Sequence, residues 1–117
     1  MKILIIGGGI GGLAAAAFLE RKGFSVTLIE RAPEFKHIGF GMSVFGNGRK
    51  MLKELGIEKE VVQEGYEIPW LKIIKPDGSI VGAPIDFTGL VRVGEPTITI
   101  ERAALQGALL KNLAHID

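Results

Sequence analysis

The chain has 117 residues, of which 47% are hydrophobic, and 14 basic against 13 acidic side chains, for a formal net charge of +1. That length allows one domain with a modest core, and the balanced charge offers no attraction to nucleic acid or to an acidic membrane surface. There is no cysteine, which excludes disulfides, thiolate metal sites and cysteine nucleophiles and leaves the cytoplasm as the default compartment.

At the N-terminus, Met1 to Ile6 is basic and then apolar, but glycines break the run after Ile6 and no small-residue cleavage site follows at the right distance. No stretch approaches the roughly 18 apolar residues that span a bilayer, so no membrane association is expected, and there is no internal repeat or heptad. Ile3 to Ile6 lacks polar alternation, which predicts a parallel strand buried on both faces.

Behind it the glycines follow the spacing G-x-G-x-x-G as Gly7, Gly9 and Gly12. Gly7 permits a tight exit from the strand, Gly9 lets backbone come against a pyrophosphate, and Gly12 lets a helix pack close to the strand. Leu13 to Leu19 is apolar on every side, as in a buried helix, and Gly23 stops it. The free N–H groups and the positive dipole end of that helix make the loop a ready anion site.

A lone glycine pattern is weak evidence in a chain with 17 glycines. Here the pattern follows a strand, opens a helix, and is followed by a second apolar strand, Ser25 to Ile29, ending in Glu30, 18 positions beyond Gly12. An acid there accepts hydrogen bonds from both ribose hydroxyls of an adenosine and disfavours a 2′-phosphate. The alternative is a glycine-rich turn beside a surface Glu with no ligand.

Pro33 keeps the second strand from continuing as an inner ladder member. Residues 34–48 form a loop in which Gly39, Gly41, Gly46 and Gly48 surround Phe40, Met42, Val44 and Phe45; its glycines fit either backbone lying close to a ligand or a mobile loop. Asn47 is the expected N-cap of a helix running to Leu55. Its apolar stripe is Met51, Leu52 and Leu55, with Arg49, Lys50, Lys53 and Glu54 largely elsewhere, and Gly56 ends it. Glu58 to Gln63 forms a further short turn or helix.

Tyr66 to Val81, with Pro76-Asp77-Gly78-Ser79 as turn chemistry, predicts a β-hairpin. Residues 82–96, with two prolines and three glycines, read as an irregular excursion or short strands. Thr97 to Ile100 alternates as a half-buried strand, and Glu101 to Leu113 reads as a helix with Leu105, Leu109 and Leu113 on one stripe. Arg102 sits in the first turn of that helix, where the dipole disfavours a cation, so it calls for a partner: a ligand phosphate, a carboxylate or a nearby acid.

Four segments together carry a family resemblance: Ile5 to Leu13, Val26 to Arg31, Gly39 to Ile57, and Ile100-Glu101-Arg102 with Leu105 and Leu109. The chain resembles the N-terminal part of FAD-dependent monooxygenases of the aromatic-hydroxylase type, the group of p-hydroxybenzoate and salicylate hydroxylases. The resemblance implies an α/β fold, a Rossmann-like FAD/NAD(P)-binding βαβ domain with an inserted β-hairpin region, truncated relative to the family. Within one domain over 1–117, residues 1–57 would form the dinucleotide-binding unit with its following loop and helix, 58–96 a β-rich insert, and 97–117 the returning strand and helix.

It further implies FAD as cofactor, NAD(P)H as reductant and a small, aromatic substrate. Gly7, Gly9, Ile10, Gly11 and Gly12 would surround the pyrophosphate, Glu30 would bind the adenosine ribose and Arg31 would flank the adenosine half. Gly41 and Met42 would run beside the flavin or its ribityl chain, and Arg102 would contact the FAD. Where the family usually has Pro-Asn before the helix, this chain has Gly46-Asn47. The family's later Asp-Gly and Gly-Asp segments have no counterpart here, because Asp77-Gly78 lies in a hairpin turn.

In the family architecture the first strand lies between the second and one from the C-terminal portion. Without that portion it is an apolar edge with unpaired N–H and C=O groups, so self-association or a partner chain supplying the remainder is expected. No residue stands out as a catalytic acid or base. His37 and His115 are lone histidines, and Trp70, Tyr66 and Phe87 read as core rather than as a substrate pocket. Two rival readings remain: an NAD-dependent dehydrogenase fragment, and a non-catalytic module that binds adenine dinucleotide.

Overall fold

The computed structural model describes residues 1–33, 40–86 and 95–114. Gly39, His37, His115 and Phe87 lie outside them. Strand β1 (Lys2–Ile6), helix α1 (Ile10–Arg21) and strand β2 (Ser25–Ile29) form the expected βαβ unit. The strands are parallel, in register from Lys2 opposite Ser25 to Ile6 opposite Ile29.

Then follow β3 (Gly41–Val44), α2 (Gly46–Glu54), α3 (Glu58–Glu64), β4 (Tyr66–Ile68), β5 (Trp70–Leu71), β6 (Ile85–Asp86), β7 (Thr97–Glu101) and α4 (Arg102–Lys111). A second sheet has the order β3-β7-β4, with both pairings antiparallel. The core lies between the two sheets' helices. Leu13 and Ala17 of α1 meet Val44, Ile98 and Ile100 of the antiparallel sheet, Leu52 and Leu55 from the α2 segment, Val61 of α3, and Leu105 and Leu109 of α4. Leu105 and Leu109 of the expected stripe lie on the face that α4 buries, whereas the helix ends at Lys111 and Leu113 lies beyond it, partly buried.

Several expectations are corrected. Only Ile3 and Ile5 of β1 are partly covered, whereas Leu4 is 59% and Ile6 80% exposed. An apolar run shows what a strand requires on each side, not whether this chain supplies it. The glycine-rich segment after Phe40 is a strand rather than a loop, because β7 offers it a ladder from Gly41 opposite Glu101 to Val44 opposite Ile98. Being central in its sheet, β7 buries Thr97 as well as Ile98 and Ile100 and is not half-buried.

The hairpin is shorter than expected at its start, since β4 joins β7 and only β5 pairs with β6, closed by a bridge between Ile74 and Ile80. Tyr66 and Trp70 are exposed there rather than core. Asn47 is not a cap: α2 begins at Gly46, two residues earlier than that cap requires, its N-cap is Phe45, and Asn47 Oδ1 accepts from the adjacent Gly48 N–H.

Arg49 departs most from its expected place. It is buried, donating through Nη1 to Glu67 Oε1 (2.6 Å) and the Pro96 carbonyl (2.8 Å) and through Nε to Glu58 Oε1 (3.1 Å). Glu95 lies 3.6 Å from Nε and also pairs with Lys53. Burial works against the charge of Arg49, but the hydrogen bonds to Glu58 and Glu67 outweigh it and hold its pKa above the ordinary value. One guanidinium thereby ties α2, α3, β4 and the segment before β7. Removing one partner strands the others, so Arg49→Met is expected to cost about 3 kcal/mol, read as a lower urea midpoint at constant slope; an unchanged midpoint would show the network to be solvated.

Candidate dinucleotide-binding site

The site grows from the way β1 ends. Gly7 takes a φ of +108°, open to glycine but strained for other residues, and its N–H still donates to the Ile29 carbonyl at 2.7 Å, carrying the parallel ladder one step beyond the strands. Gly9 is the N-cap of α1 in ordinary extended geometry, and its carbonyl takes the first helical bond from Leu13 N–H at 2.9 Å. The helix begins at Ile10, before the expected Leu13. The N–H groups of Ile10, Gly11 and Gly12 therefore have no acceptor within the helix, and the first turn carries neither an acidic residue nor a side-chain cap.

The glycines of the loop differ in what they are for. A Cβ on Gly12 would lie 2.0 Å from the Gly7 carbonyl oxygen and 3.5 Å from Ile5 Cγ2. Helix and strand can meet only because it is absent. A Cβ on Gly9 or Gly11 would meet nothing within 4 Å, so packing within the chain does not demand glycine there. Their bareness leaves the helix opening accessible to a diphosphate, and the residues present fit that group.

Glu30, at the end of β2, folds back onto the loop. Its Oε2 accepts from Gly8 N–H at 2.6 Å and its Oε1 from Ala32 N–H at 2.8 Å. The bond from Ala32, then that from Gly8, holds its pKa below the ordinary 4.5. A depressed carboxylate pKa means that its contribution is fully present above 4.5 and is lost as pH falls through the lowered folded value. The anchor is therefore complete at neutral pH. Each carboxylate oxygen retains a second acceptor direction, so the carboxylate can still receive a ribose hydroxyl. Arg31 follows on the exposed surface.

A residue that sequence reasoning missed completes the loop. Gln106 of α4 is buried and donates through Nε2 to the Gly8 carbonyl at 2.7 Å. The signal was a polar side chain set among Leu105, Ala108 and Leu109, a position that requires a hydrogen-bond partner. Arg102 lies four residues earlier on the same face of α4. Its backbone N–H donates to the Phe40 carbonyl at 3.1 Å, next to the pairing of Gly41 with Glu101. The start of α4 thus meets the residue before β3, and one turn further along the same helix holds the glycine loop.

The Arg102 side chain is exposed, and among the described residues no acid pairs with it. The Met42 side chain is partly buried against the core. Among the described residues no group of three His, Asp or Glu side chains is placed to hold a metal, and no helix is long and apolar enough to cross a membrane.

Residues 5–55 match the NAD(P)-binding Rossmann-like domain. The chain is 39% identical over 113 residues to 3-hydroxybenzoate 6-hydroxylase of Polaromonas naphthalenivorans, covering 95% of this chain and 28% of that protein. It is 36% identical over 109 residues to the aurachin C monooxygenase/isomerase of Stigmatella aurantiaca, covering 93% of this chain and 28% of that protein. Among solved structures, Klebsiella pneumoniae HpxO complexed with FAD and uric acid matches at a TM-score of 0.75 and 29% identity, over 95% of this chain and 28% of that one.

This chain corresponds to the N-terminal part of FAD-dependent aromatic monooxygenases. It spans just over a quarter of the length of those relatives. The matched family region runs from the last two residues of β1 through the glycine loop, α1, β2 and Glu30 to the end of α2.

The contrast between the glycines is testable by thermal unfolding. Gly12→Ala is expected to cost 2 kcal/mol or more, to the order of overpacking penalties, because backbone must move. Gly9→Ala should leave stability unchanged or raise it by about 0.5 kcal/mol while placing a methyl group before the helix opening. Equal effects would contradict the division of roles.

Proposed function

We propose that this chain is the part of a FAD-dependent, NAD(P)H-reduced monooxygenase that holds the adenosine and pyrophosphate of the cofactor, in an enzyme acting on a small aromatic molecule. The observation that carries the reading is the opening of α1: three donors with no helical acceptor, no acidic side chain in the first turn, and Glu30 at its rim. FAD, when bound, supplies the redox and oxygen-transfer chemistry. The chain's own part is to bind and orient. Gly9, Ile10, Gly11 and Gly12 donate to the diphosphate, Glu30 accepts from the ribose, Arg31 flanks the adenosine, and Arg102 with Gly41 and Met42 lies toward the flavin half.

The relatives support an aromatic substrate, one being a 3-hydroxybenzoate hydroxylase and another a structure holding uric acid. The cytoplasm is the compartment this chemistry suits. The reading also calls for further polypeptide. Leu4, Ile6 and Ile29 are exposed on one face of the parallel pair, and among the described residues β1 pairs only with β2. An uncovered apolar face beside an unpaired strand edge favours association. Self-association, or a separate chain equivalent to the rest of the relatives, would supply the cover.

Two measurements test this. In titrations with FAD and with ADP, Glu30→Ala should weaken both by about 10-fold, the loss of a charge-assisted hydrogen bond; unchanged affinity for both would remove Glu30 from the site, and NAD binding tighter than FAD would favour the dehydrogenase reading. In light scattering across a concentration series the chain alone should form dimers or larger species. A monomer at every concentration, with slowly exchanging β1 amides, would contradict the association.

A further inference from the structure

Gly8 is held on both sides. Its N–H donates to Glu30 at the end of β2, 22 positions along the chain, and its carbonyl accepts from Gln106 of α4, 98 positions along. The residues before and after it are also glycines, so no Cβ hinders rotation of the peptide planes in this stretch. Left to itself, the Gly8–Gly9 peptide would be free to turn over.

In a planar trans peptide the C=O and the following N–H point in opposite directions, and the described residues contain no cis bond. With its oxygen fixed inward on a buried amide, the peptide has its hydrogen, on Gly9, aimed away from Gln106. That hydrogen belongs to the residue whose missing side chain no packing contact explains. We infer that Gln106 is a positioning residue for diphosphate recognition: by holding the Gly8 carbonyl it fixes the orientation of the Gly8–Gly9 peptide and so directs the Gly9 N–H toward the ligand. This inference rests on the dinucleotide reading above and adds to it a residue from the far end of the chain.

The role differs from that of Glu30. The carboxylate can touch both loop and ribose, whereas the buried amide of Gln106 acts only through the loop. Its removal should therefore be felt by the diphosphate and not by the nucleoside. Fixing a donor beforehand improves affinity by removing the ordering that binding would otherwise require.

The test uses the whole chain, ADP and adenosine as probes, and two variants. Gln106→Leu removes the donor with little change in volume, and Gln106→Glu keeps the shape but sets an acceptor against the carbonyl. In both, ADP affinity should fall about 10-fold while adenosine affinity changes less than about 2-fold. In the amide NMR spectrum without nucleotide, the Gly8 and Gly9 signals should broaden or double relative to the parent. Equal losses for ADP and adenosine, or a Gln106→Glu chain that binds ADP like the parent, would overturn the assignment. So would unaltered Gly8 and Gly9 signals in both variants. If the parent bound ADP no better than adenosine, the dinucleotide reading itself would fail, while the free-state spectra would still decide whether Gln106 orients the loop.

Discussion

The structure depends on a contact that only a missing atom permits: the backbone at Gly12 against the carbonyl of Gly7. That approach brings the first turn of α1 onto the end of β1 and holds the strand–loop–helix turn tight. It lets Leu13 become fully buried one residue later, so the core begins where the loop ends. The helix also has no side-chain cap, because its N-cap is Gly9, whereas a helix N-terminus is commonly capped by a polar side chain. The packing constraint and the bare helix opening are thus two consequences of one glycine spacing, the first set by Gly12 and the second by Gly9.

Around that contact the chain places anchors taken from distant elements. Glu30 comes from the strand that pairs with β1, and Gln106 from a helix whose buried stripe closes the core on α1. The sheet β3-β7-β4 has a supporting part, since β7 runs directly into α4 and sets where that helix begins. Arg49 fastens α2 and α3 to β4 and to the segment before β7. A loop of glycines has little rigidity of its own; here the rigidity is supplied by elements whose positions the core fixes.

Much of this was legible in the sequence where the signal was local. The glycine spacing, the strand before it, the acid ending the next strand and the leucine stripe of α4 each depend on neighbours a few residues away. What was not legible depended on pairing across the chain. Gly41 and Met42 read as loop because glycine-rich segments do so in isolation, and only the ladder with β7 makes them a strand. Arg49 read only as lying off the apolar stripe of α2, because its three acidic neighbours, Glu58, Glu67 and Glu95, are contributed by other segments. Gln106 carried no motif, only the anomaly of an amide on a buried face. The β1 run met the opposite difficulty, since its composition describes an environment on both faces that these residues supply on one.

The central claim is that a diphosphate rests on the backbone amides at the start of α1, and a crystal of this chain grown or soaked with ADP tests it most directly. The account predicts the diphosphate oxygens within hydrogen-bonding distance of the N–H groups between Gly9 and Gly12, with the ribose hydroxyls on Glu30. ADP bound elsewhere on the chain, or a loop with Glu30 occupying that position and the nucleotide excluded, would contradict it.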